Sequence, residues 1–106
     1  MLLILVPVVI SHGSPAQDKH YREAMITAIS LVEHASARKD YLEAAARFER
    51  IASAEKSRWM PFYYGAYALI VMSYDEQDMK ERDRVLDRAQ VLVDSAIARN
   101  PGESEI

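Results

Sequence analysis

The sequence predicts an all-α fold: two stacked antiparallel helical hairpins, preceded by a short apolar segment. Three observations carry that expectation. Only three glycines and four prolines occur in 106 residues, and beyond the first ten positions Ala, Glu, Arg and Leu dominate, the residues that lose least on entering a helix. From Asp18 onward the apolar residues recur at i, i+3, i+4 and i+7 spacing. The breaks between these periodic stretches are short, as they are between antiparallel neighbours.

Residues 1–16 stand apart in composition. Positions 2–10, "LLILVPVVI", form an apolar run, and Ser14, Pro15 and Ala16 place small residues where a signal peptidase reads. The expectation is an export signal cleaved after Ala16, although no Lys or Arg precedes the run. A buried N-terminal strand or a cap on the helical core is the alternative. The run is far short of the roughly 20 residues that span a bilayer, so no stable membrane span is expected. Export would make the mature chain periplasmic or secreted; without a working signal it would be cytoplasmic.

Residues 17–101 are then the helical domain. Tyr21, Ala24, Met25, Ala28, Ile29, Val32 and Ala35 make the stripe of a first helix, with Asp18 as its expected N-cap. Asp40 is read as the N-cap of a second, close to a capping box with Glu43; it buries Tyr41, Ala44, Ala45, Phe48, Ile51 and Ala52. Ser57 is expected to cap the third helix, with Pro61 tolerated in its first turn. "DEQDMKERD" reads as a solvated linker before a fourth helix carrying Val85, Leu86, Ala89, Leu92, Val93, Ala96 and Ile97. Asn100, Pro101 and Gly102 end that helix. Residues 102–106 are either the start of a further repeat, with Ser104 as cap and Ile106 as first apolar residue, or a frayed tail.

The third helix, "RWMPFYYGAYALIVMSY" over residues 58–74, holds most of the aromatic side chains. It is apolar almost all round, the pattern of a helix buried on more than one side. Tyr64, Ala68 and Val71 form one stripe; Tyr63, Tyr67, Ile70 and Tyr74 form another. Both are expected to pack as core against the flanking helices. The functional alternative is that Trp59, Tyr63, Tyr67 and Ile70 line a concave surface and contact a protein or peptide, since aromatic anchors dominate such contacts.

Ala44, Phe48 and Ile51 stand at the same mutual spacing as Ala89, Val93 and Ala96, and Pro101 closes the second set. With Gly65 on the preceding helix, "DYLEAAARFERI" and "YYGAYALIVMS…AQVLVDSAIARNP" resemble the tetratricopeptide repeat. The resemblance makes Gly65 the close-approach glycine, the two triplets the second-helix positions and Pro101 the closing proline. In the earlier hairpin Val32 stands where that glycine would be. The two hairpins lie about 45 residues apart against about 34 in the family, with the third-to-fourth connection read as about a dozen residues longer. The chain also looks similar to the N-terminal part of secreted bacterial tetratricopeptide-like proteins of unknown function.

Chemistry-bearing patterns are sparse. A net charge of −3 and a pI near 5.6 give no electrostatic footprint for nucleic acid. The absence of cysteine excludes disulfides and thiolate chemistry. His20, three residues before Glu23, and His34 lack metal-ligand spacing, and no glycine-rich phosphate loop or nucleophile–base set is present. Asp75, Glu76, Asp78 and Glu81 lack the alternation and central glycine of a calcium loop. No cofactor or metal is expected. The resemblance then implies a non-enzymatic scaffold for protein–protein contacts in the bacterial envelope. The rival is a small ligand-binding or enzymatic bundle with a pocket near the aromatic third helix.

Overall fold

The computed structural model describes residues 15–99. Most of the export-signal segment, the closing Pro101 and residues 102–106 lie outside them. The described residues form four helices: α1 (Pro15–Glu33), α2 (Arg38–Ala54), α3 (Met60–Ser73) and α4 (Met79–Arg99). No strand occurs among them, as the composition requires. The expected cleavage point after Ala16 falls inside the first turn of α1, which Pro15 opens at a position where its missing N–H is no loss.

Each helix packs on the next: α1 on α2, α2 on α3 and α3 on α4. α1 reaches α3 only marginally and does not pack on α4. Contacts at the helix ends give the directions. Arg38, opening α2, bonds Glu76 and Glu81 at the start of α4 at 2.7 and 2.5 Å, while Arg99, ending α4, donates to the Lys56 carbonyl just past α2. α2 and α4 therefore run the same way on two sides of α3. Asp18, in the first turn of α1, pairs with Arg58 beyond the end of α2 at 2.9 Å, so α1 runs against α2. Arg99 also lies 4.1 Å over the Phe62 ring near the start of α3, so α3 runs against α4.

Three helix starts differ from the sequence reading. α1 begins ahead of Asp18, which is a first-turn carboxylate rather than the N-cap. α2 begins at Arg38, with Ala37 as N-cap and Asp40 at the third position. The Asp40 carboxylate reaches back to the Ser36 and Ala37 amides at 3.0 and 3.1 Å, which holds its carboxyl below the ordinary range. This is one half of a capping box; Ala37 has no side-chain acceptor to supply the other. α3 begins at Met60 behind Trp59, so Ser57 is not its cap.

The largest correction is at α4. Asp78 accepts from the Lys80 and Glu81 amides at 3.0 and 3.4 Å and starts the helix well before Val85. Only residues 74–78 separate α3 from α4, so most of the expected long connection is helix, not linker. The wide hairpin interval accordingly includes extra helical length ahead of Ala89.

The core is the shared interior of α2, α3 and α4, with Met25 and Ala28 joining it from α1. Ala44, Phe48, Ala89 and Ala96 are buried, while Ile51 and Val93 are half-buried at its edge. Gly65 sits inside α3 with an ordinary helical backbone, so its role is closeness rather than backbone freedom. A Cβ there would stand 3.4 Å from both Phe48 Cβ on α2 and Leu92 Cδ1 on α4. The glycine lets α3 settle between its two neighbours.

Candidate functional site

The face of α3 opposite Gly65 carries the tyrosines. Buried positions of α3 are Pro61, Gly65, Ala66, Ala68, Leu69, Met72 and Ser73. They are mostly small, because α2 and α4 both press on this side. Ser73 can be buried because its hydroxyl donates to the Ile70 carbonyl at 2.7 Å. The bulkier Tyr63, Tyr64, Tyr67 and Val71 turn toward α1, which does not come close enough to cover them.

A groove of about 480 Å³ results. α1 contributes Ile29, Val32 and Glu33 to its wall, α2 contributes Tyr41, and α3 supplies Tyr63, Tyr64, Tyr67 and Val71. Tyr64 stacks on the buried Phe48 ring, with centroids 5.7 Å apart, which anchors the floor to the core. Tyr63 and Tyr67 each stand at 81° to Tyr64, at 5.2 and 6.4 Å. Such near-perpendicular pairs suit the ring quadrupole, and they make walls at an angle instead of one flat stack. None of the four tyrosine hydroxyls has a hydrogen-bond partner among the described residues, and none is buried without one. They face water.

The expectation that both aromatic stripes are core is corrected for the second stripe, while in the first Ala68 is buried and Tyr64 packs against the core. Tyr67 is 43% exposed and Tyr74 72%. Tyr63 and Tyr67 line the groove; Trp59 meets Tyr63 edge-on at 6.0 Å but lies outside it, and Ile70 packs half-buried against the core. Tyr41 and Ile29, read as buried stripe residues, and Glu33, which carried no mark, join the site.

Electrostatically the groove is bare of cations. Glu33 is its one charged residue and forms no ion pair among the described residues. Arg58 and Arg38 are engaged at opposite ends of the helix stack. Arg58 bridges Asp18 and Glu55 and covers the Tyr21 ring at 4.0 Å, and the burial of that ring raises the Tyr21 pKa. At the other end Glu81 accepts from Arg84 and Arg38, which hold its pKa at about 2. Arg84 pairs with Glu81 one turn earlier on the same helix.

Among the described residues no cluster of three or more His, Asp or Glu could hold a metal ion, and no helix is long and apolar enough to cross a membrane. His20 is exposed; His34, also exposed, sits with Nδ1 2.9 Å from the Ser30 carbonyl. Comparisons with known protein families, curated proteins and solved structures returned no match.

Proposed function

We propose that the chain is a non-enzymatic helical-repeat scaffold, built of tetratricopeptide-like stacked hairpins, that holds a protein or peptide partner in the bacterial envelope after export. The observation that carries this reading is the open arrangement: helices pack in chain order, and α4 does not return to α1. A closed bundle would make that contact, whereas a repeat array buries its core only between neighbours. On this reading α1 and α3 are the first helices of successive hairpins, and the tyrosine groove between them is the concave surface. Met79, Leu86 and Ile97, exposed along one side of α4, are what a further hairpin would cover.

A photo-crosslinking residue at position 67, compared with one at the exposed Arg50, tests the assignment in envelope extracts. A discrete crosslinked partner at 67 and none at 50 is the expected result; equal or absent crosslinking at 67 would overturn it. N-terminal sequencing of the mature protein checks export, with a chain still starting at Met1 counting against cleavage after Ala16. The groove volume also falls within the range of small-molecule sites, which favours the ligand-binding bundle as the second reading. That reading requires thermal stabilisation by some metabolite, and silence across a broad screen would sink it.

A further inference from the structure

We infer that the α1–α3 groove receives an arginine side chain from an extended segment of the partner. This inference rests on the groove being the partner surface. Three rings, Tyr63, Tyr64 and Tyr67, stand at steep angles around one concavity, and a cation over an aromatic face is attracted by the ring quadrupole. Glu33 adds a carboxylate at the same wall with no ion pair of its own among the described residues. No Lys or Arg lines the groove, so the carboxylate has no cation from within and the rings meet only one another and Phe48.

The chain shows what its other aromatics do with a nearby cation. Tyr21 carries Arg58 at 4.0 Å and Phe62 carries Arg99 at 4.1 Å. Both cations are guanidinium groups, whose planar, weakly hydrated form stacks on rings more readily than an ammonium does. Tyr63, Tyr64 and Tyr67 have the same ring chemistry and lack that partner. The open hydroxyls of the groove are available to the peptide backbone on either side of the inserted side chain, so an extended segment fits better than a lone small cation.

The test titrates the full chain with a short glycine-flanked arginine peptide and with its citrulline counterpart, which is nearly the same shape but neutral. Aromatic NMR shifts of Tyr63, Tyr64 and Tyr67 report binding. The arginine peptide is expected to bind about fivefold or more tighter than the citrulline one. Binding should weaken in Glu33→Gln, which changes an exposed side chain and leaves the fold intact. Equal affinity for the two peptides, or unchanged affinity in Glu33→Gln, overturns the arginine inference while leaving the groove as a peptide surface. Absence of ring shifts with either peptide overturns both.

Discussion

The two faces of α3 are equally apolar by composition and opposite in fate. One carries Gly65, Ala66, Ala68, Leu69 and Met72 and is buried between α2 and α4. The other carries Tyr63, Tyr67 and Tyr74 and is open toward α1 and solvent. Size and polarity of the side-chain tip decide between them, not hydropathy. Small residues let two helices approach at once, and the dispersion attraction along both seams outweighs what one larger side chain would bury alone. A tyrosine brings a hydroxyl that must keep a partner, and water at a groove is the nearest one.

The comparison breaks most visibly in the core. Leu69→Ala should lower unfolding stability by about 2–5 kcal/mol, read by urea titration, because the cavity opens where three helices meet. Gly65→Leu should cost about 1–3 kcal/mol or more, since its Cβ would already touch Phe48 and Leu92 and the remaining atoms have nowhere to go. Gly65→Ala sharpens the point. At 3.4 Å the added methyl makes ordinary contact, and the gain in helix propensity of up to about 1 kcal/mol offsets any tightness, so it should be close to neutral. A loss as large as that of Gly65→Leu would mean that the helices are closer than described.

A weaker effect is expected from the clamp that ties α2 to α4 across the buried face. Arg84 and Arg38 hold the folded-state Glu81 carboxyl at about 2 against an ordinary 4.5. Its stabilisation is thus present above about 4.5 and lost as pH falls toward 2. Because Glu81 and its partners are solvent-facing, the contribution is small. Glu81→Gln should flatten the acid limb of the stability–pH profile by slightly lowering stability at neutral pH while leaving it unchanged near pH 2; an unaltered limb would show that the clamp does not persist in solution. The smallest effect belongs to the open face. Tyr67→Ala should change stability by less than about 1 kcal/mol. A larger loss would mark Tyr67 as core.

Much of this fold is legible in the sequence. Helical periodicity finds all four helices and the buried seams Ala44–Phe48 and Ala89–Ala96, and the shared triplet spacing points to Gly65 as the place of close approach. Helix starts are harder because a carboxylate serves equally well at the N-cap and at the third position. Asp40 reads as the first and occupies the second, while Asp78, with Glu81 three residues on, reads as linker acid and instead starts a helix. The groove is half-legible. Periodicity cannot choose a buried face on a helix that is apolar all round, and nothing in α3 alone says that α1 stands off far enough to leave Tyr63 and Tyr67 uncovered. Glu33 and Tyr41 join the site only through packing: Glu33 looks like an ordinary flank residue, and Tyr41 reads as a residue of the buried stripe.

Hydroxyl-radical footprinting read by mass spectrometry addresses the two-faced α3 most directly, because one peptide reports both sides of the helix. Tyr67 and Tyr74 should label rapidly in the free chain while Leu69 and Met72, each 5% exposed, stay protected. Bound partner should then protect Tyr67 and leave Tyr74 or Met79 reactive. Protection of Tyr67 equal to that of Leu69 in the free chain would contradict the open groove and the function built on it.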